Sequence, residues 1–340
     1  MRKMKIFIIG ITGLLGSESA RALHKDGHTI SGLTYNGTPS GLNLPDDIKI
    51  YTGDYVNMDE SELVRLLKLQ DALIFAAGID ERVKTKPPAL DKFNKYNVHA
   101  LERILKIAKE NGVKHTVILG SYFTYFNEAR PKLKLAENHP YIQSRLLQKE
   151  MAFSYSDENF DVALLELPYI FGIQEGRKPV WTFLIEMIHK MGKITYYPRG
   201  GSAMVTVRQV GEAVKGALYL NKGAKTYPIS YYNLSWDEML KVMHQAIGQP
   251  KRTIIHVPKF IYKRVMAYIY KKELKRGFEG GLNLGKFAIM HCSKQYISDE
   301  TAKLLGVTPD DILKAIYDSA LLSDEIIRQN KNVVEMKITE

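Results

Sequence analysis

Tyr141 and Arg145 stand four residues apart in "HPYIQSRLLQKEMA", residues 139 to 152. The stretch reads as a helix opened by Pro140, so phenol and guanidinium can share one face. A phenol with an ordinary pKa of about 10 works as a base near neutrality only if a neighbouring cation favours its phenolate. Arginine supplies that charge, spread over a planar fork that keeps its protons. The pair is either an acid–base device or an ordinary surface contact. Lys149 follows Tyr141 by two helical turns, about 12 Å of rise, which is too far to take the arginine's place.

A second candidate is "GITGLLG", which sets Gly10, Gly13 and Gly16 around Thr12, Leu14 and Leu15. It follows the strand-like run "KIFIIG" and opens a helical pattern. Glycines there permit a tight turn and close approach of a pyrophosphate to the positive end of the helix. The opening "MRKMKIFIIG" has the basic and apolar character of a signal peptide, but the glycines interrupt the run and no clean cleavage site follows. A ribose-binding acid is expected roughly 20 residues beyond such a loop. The chain offers "LTYNGTPSG" instead, where Thr34, Tyr35, Asn36 and Thr38 present hydrogen-bonding groups to a ribose or a 2′-phosphate. No carboxylate repels a phosphate and no arginine attracts one, so both NAD and NADP stay open.

These groups need a frame. "KIFIIG", "TISGLTY", "IKIYTGD", "DALIFAAG", "HTVILGS" and "VALLELPYIFG" read as buried strands, alternating with helical patterns such as "ESELVRLLKL" and "NVHALERILKIAKENG". Such alternation predicts a Rossmann-type α/β fold, a doubly wound parallel sheet with helices on both faces. The second half is more mixed. "SWDEMLKVMHQAIGQP" is a helix with Ser235 as N-cap, Glu238 as its capping-box partner, and Gly248 with Pro250 as the stop. We expect a dinucleotide-binding domain over residues 1–167, with a return segment near 202–228, and a smaller, mainly substrate-binding domain over 168–340. A cleft between them is the natural ligand site.

In order, "GITGLLG", "GDY", "AAG", "NV", Ser121, "YIQSR" and "LPYIFG" resemble the short-chain dehydrogenases/reductases. The spacing is similar to the extended branch, which holds nucleotide-sugar epimerases, dehydratases, dihydroflavonol reductases and 3β-hydroxysteroid dehydrogenases, and the likeness runs from Met4 to about Leu321. The resemblance implies a catalytic set of Ser121, Tyr141 and Arg145. It implies cofactor contacts from the glycine loop, Tyr35, Asn36, Asp54, Tyr55, Ala76, Ala77, Gly78, Asn97, Pro168 and Ile170, with Asp54 at the adenine amine. Tyr122 and Phe123 border the family's cleft, and Arg177, Trp181 and Arg208 lie in segments where relatives build the substrate side. The family's signature is Tyr-x-x-x-Lys, and this chain carries arginine at the last position.

The implied activity is NAD(P)-dependent oxidoreduction, epimerisation or dehydration at a carbonyl or alcohol of a sugar nucleotide or small hydroxy compound. Two alternatives stand beside it: a dinucleotide-binding regulator with little turnover, and a membrane-associated hydroxysteroid-type or lipid-type dehydrogenase.

Composition narrows the setting. A single cysteine, Cys292, forms no intrachain disulfide and no multi-thiolate metal site, as in a reducing cytoplasm. His291 beside it has no matching ligand cluster, and no metal is expected. Net charge is +11, and from Lys251 to Lys294 eleven Lys and Arg stand against Glu273 and Glu279, a local net of +9. That excess suits an acidic small-molecule substrate or an anionic surface and gives no reason to invoke nucleic acid. Residues 258–276 place apolar groups at helical spacing among the cations, so the segment is a packing element, a lid or a peripheral membrane contact. A homodimer is compatible with the sequence.

Overall fold

The computed structural model describes residues 2–35, 37–330 and 333–334. Its largest sheet has seven parallel strands, in the spatial order Ala224–Pro228, Asp161–Leu167, His115–Ser121, Ala72–Phe75, Lys5–Ile9, Thr29–Thr34 and Lys49–Thr52. Strand order reverses between Lys5–Ile9 and Ala72–Phe75, and loops leaving the carboxyl ends at that switch diverge to open a crevice.

Both faces of the sheet are covered. On one, Ile6, Ile8, Ile74, Val117 and Leu165 meet Ala20 and Leu23 of the helix Leu14–Lys25, and Val210 and Val214 of the helix Val207–Leu220. On the other, Phe7, Phe75, Ile118 and Leu164 meet Leu63, Leu101, Leu105 and Ala152 from the helices Glu60–Leu67, Ala100–Glu110 and Pro140–Ser154. Alternate residues of each strand thus serve opposite layers, and nearly continuous apolar runs result. The architecture is the Rossmann-type doubly wound sheet.

"VALLELPYIFG" divides into two strands. Asp161–Leu167 belongs to the main sheet, whereas Tyr169–Phe171 pairs with Gly201–Thr206 in a smaller mixed sheet that also holds Tyr232–Ser235 and Lys294–Gln295. Pro168 sits at the break, where its missing N–H ends the ladder. Around this smaller sheet, Phe171, Trp181, Met204, Trp236 and Ile316 form a separate core. Ser235 and Glu238 make the expected capping box on the helix Trp236–Ala246.

Before the helix Ala100–Glu110 the chain adds a helical turn over Ala89–Asn94 and a π-helical turn over Lys95–His99. The wide turn carries Asn97, and such turns recur where a side chain must be aimed out of register.

Candidate active site

The first strand ends at Gly10, whose φ of +85° suits glycine and whose added Cβ would lie 2.7 Å from the Ala76 carbonyl oxygen. At Gly16 a Cβ would come within 2.1 Å of the Gly10 oxygen, so this glycine lets the helix pack against the strand end. Gly13 differs. Its φ of −73° is open to any residue, but it lines a cavity of about 570 Å³ together with Leu14 and Leu15. No acidic side chain occupies the first turn of that 12-residue helix. The cradle therefore fits a pyrophosphate: backbone N–H groups at the positive end of a helix, with no side chain at Gly13 to obstruct them.

The same cavity is lined by Ala76, Ala77 and Gly78 after the fourth strand, by Ser121, and by Tyr141, Arg145, Pro168 and Ile170. Gly78 has φ +123°, and a Cβ there would strike Asn97 Oδ1 at 2.6 Å. Asn97 is fully buried; its Oδ1 accepts from Ile79 N at 2.9 Å and its Nδ2 donates to Ile79 O at 3.1 Å. It shapes the cavity wall from behind.

Tyr141 and Arg145 face inward at 4% and 7% exposure, so a surface contact is ruled out. The guanidinium lies over the ring, 5.2 Å from its centroid. Arg145 Nη1 donates to Gln148 Oε1 at 2.8 Å, and Gln148 Nε2 donates to the Asn97 carbonyl at 2.6 Å. Burial raises the Tyr141 pKa above the usual phenol value; Arg145 opposes the shift, and Glu81 and Asp80 add to it. The arginine does bias this phenol downward, as expected of a neighbouring cation, but desolvation outweighs it.

Glu81 was not anticipated. It lines the cavity in "DER", directly beyond "AAGI". Burial and neighbouring Asp80 push its pKa up to about 7. Gly281 joins it to the tyrosine, donating its N–H to Glu81 O at 3.1 Å and accepting from Tyr141 N at 3.0 Å. An acid three residues past a strand-end glycine was a visible signal; the loop path that turns it inward was not.

Of the other expected site residues, Tyr122, Phe123, Arg177 and Trp181 also line the cavity, and the rest of those described do not. Arg208 is outside the cavity: it bonds Glu212, Asp310 Oδ2 at 3.0 Å and Pro309 O at 2.6 Å, clamping the loop before the last long helix. Arg177 lines the cavity at its glycine-turn end, where Nη2 donates to Thr12 O at 3.1 Å beside Gln174 Nε2 at 2.9 Å. Its Nε is buried without a hydrogen-bond partner among the described residues. The position suits a phosphate contact better than a substrate contact.

Tyr122 gives its hydroxyl to Gln295 at 2.7 Å, and Phe123 meets the Tyr141 ring edge-on at 6.3 Å, so both are largely packing residues at the cavity wall. Trp181 stacks on Phe171 and donates to Ile170 O at 2.8 Å, engaging the backbone expected to face the cofactor. Asp54 accepts from Val56 N and Asn57 Nδ2, holding a turn outside the cavity, and Tyr55 packs against Phe75. Tyr35 is exposed beyond the second strand, Thr12 Oγ1 bonds Thr34 Oγ1 behind the turn, and Asn36 lies outside the described residues.

A glycine cradle at the switch point of a parallel sheet, sharing one cavity with Ser121 and Tyr141, defines the class: an extended short-chain dehydrogenase/reductase. The chain belongs to the NAD dependent epimerase/dehydratase family, whose profile matches residues 6–225. Comparison with curated proteins finds no match. Among solved structures, WbmH of Bordetella bronchiseptica in complex with NAD+ is 15% identical with TM-score 0.67, covering 97% of this chain and 100% of that one. The UDP-N-acetylglucosamine 4-epimerase of Bacillus cereus is 16% identical with TM-score 0.64, covering 94% and 96%. The UDP-glucuronic acid 4-epimerase of Bacillus cereus in complex with NAD is 13% identical with TM-score 0.67, covering 96% and 99%. At these identities the likeness is one of fold.

Proposed function

We propose that the protein is an NAD-dependent enzyme that oxidises and reduces one hydroxyl-bearing carbon of a sugar nucleotide, as an epimerase or dehydratase requires. The observation that carries this reading is that the Gly13–Leu15 cradle and Tyr141 line a single cavity. NAD is favoured by the family and by the ligands of the first-named and third-named structures. Sugar nucleotides are favoured by the two epimerases. Residues 1–167, with the return near 202–228, would carry the dinucleotide and 168–340 most of the substrate side.

The bound dinucleotide supplies a hydride acceptor and donor. Ser121 and Tyr141 hold the substrate oxygen; Tyr141 takes its proton as the C–H bond breaks and returns it when the carbonyl is reduced. Arg145 favours the phenolate through its charge, and Arg177 answers the phosphates at the other end.

One observation favours a second reading, a dinucleotide-binding regulator with little turnover: Arg145 is engaged by Gln148 and the ring face, leaving Tyr141 with a raised pKa. Incubation with NAD and a panel of nucleotide sugars, followed by product NMR, separates the two. The enzyme reading expects an altered sugar that Tyr141→Phe does not make. It is lost if the wild type binds NAD, converts no sugar, and matches Tyr141→Phe throughout.

A further inference from the structure

The helix Lys259–Lys275 has no fully buried residue. Its inner side rests on the helix Leu284–His291, with Ala267 against Gly285 and the Tyr262 ring stacked on His291 at 5.7 Å. Facing outward are Phe260 at 64% exposure, Ile261, Val265, and Tyr268 at 66%. With 100° between successive residues, these four fall within an arc of about 140° that also takes in Arg264, Lys271, Lys272 and Lys275. Upstream, the register partners Ile255 and Tyr196 are both exposed, and Phe278 is exposed beyond the helix end.

No acid dilutes this arc. Glu273 is paired with Lys84 at 2.5 Å, and Glu279 accepts from Ala89 N and Tyr270 Oη. Large apolar groups and cations are therefore interleaved on one outward face of a helix that the protein body leaves uncovered.

We propose that this face docks on the surface of an anionic phospholipid bilayer. Such a surface takes rings and branched side chains to the depth of the acyl boundary while lipid phosphates surround the cations between them. A second copy of the chain is a poor occupant, because a two-fold contact would set Arg264, Lys271, Lys272 and Lys275 against their own images. Among the described residues no helix is long and apolar enough to cross a membrane, so the contact is peripheral. The proposal stands whether or not Tyr141 turns over a substrate.

The test is co-sedimentation of the full chain with vesicles of phosphatidylcholine, with and without about one third phosphatidylglycerol. The expected result is binding to the mixed vesicles alone, falling steeply as salt rises to about 0.5 M. Arg264→Gln, Lys271→Gln, Lys272→Gln and Lys275→Gln together should weaken partitioning by about a hundredfold or more. Phe260→Ser, Val265→Ser and Tyr268→Ser together should weaken it by about tenfold or more. Both variants should keep wild-type NAD affinity, which reports folding independently. The proposal is overturned if the wild type ignores the mixed vesicles, or if either variant binds them as the wild type does. A free-chain dimer that dissociates on Tyr268→Ser, or an acidic protein that displaces the vesicles from this helix at equal concentration, would also overturn it.

Discussion

The Arg145 guanidinium stands 5.2 Å above the centre of the Tyr141 ring, held by Gln148 and directed at the π-face. Its charge opposes the upward shift that burial gives the phenol without cancelling it.

Arg145→Gln should therefore move the alkaline rise of the oxidation rate to still higher pH. The sign follows from the phenol: losing the cation raises its pKa, so less phenolate is present at any given pH. Arg145→Lys keeps the charge but loses the fork shared with Gln148, and turnover should fall by about tenfold with NAD affinity largely retained. pH–rate profiles of the three proteins are the check, and superimposable curves would remove Arg145 from the mechanism.

Gly13→Asp should abolish dinucleotide binding while leaving the fold intact, since this glycine has an ordinary backbone conformation and borders the cavity. Gly16→Ala should damage folding instead, its Cβ being driven to within 2.1 Å of the Gly10 oxygen. Calorimetric titration with NAD and thermal unfolding would separate these effects. Equal losses of stability in the two variants would contradict the division.

Arg177→Gln should weaken NAD binding by roughly 10- to 100-fold, the scale of one charge-assisted hydrogen bond of about 1.5–3 kcal/mol. Arg177→Lys should recover part of that loss and restore its salt dependence. If affinity is unchanged in both variants, the guanidinium only braces the Thr12 carbonyl.

Glu166 is buried beside Thr124, and burial raises its pKa to about 7. Its folded-state pKa exceeds the unfolded one. The native state therefore binds the extra proton between roughly pH 4.5 and 7, and stability falls as pH rises through that window. Glu166→Gln removes the titration and should gain about 2–3 kcal/mol over the wild type at pH 8, with little difference at pH 4. Denaturant melts at the two pH values measure this, and a constant offset would disprove it.

The parallel sheet and glycine turn were legible because apolar runs and glycine spacing are local properties, as was the Ser235–Glu238 capping box. Tyr141 was legible as a helix partner of Arg145, but not as a buried one, because burial is set by strands and loops far away in sequence. Arg208 misled for the same reason: its i,i+4 partner Glu212 was visible, while Asp310 arrives from about a hundred residues on. Arg177 comes to Thr12 through a loop whose path no local pattern encodes. Pro168 was another overlooked local signal, a missing donor in the middle of an apparently continuous strand.

Arg145 is closed into contacts with Gln148 and the Ile79 carbonyl, and a guanidinium offers only donors, with no acceptor site for a proton in transit. If Tyr141 takes the substrate's proton as proposed, Glu81 is a titrating neighbour whose charge already reaches the phenol. Such a site would conserve its proton inventory: what leaves the substrate would stay in reach to be handed back. Reactions that begin and end at the same oxidation level suit it better than a net oxidation, which must discharge a proton to bulk water on every cycle. The expectation is a conversion whose rate is nearly indifferent to buffer concentration. Strong acceleration by added buffer would show that the proton does escape.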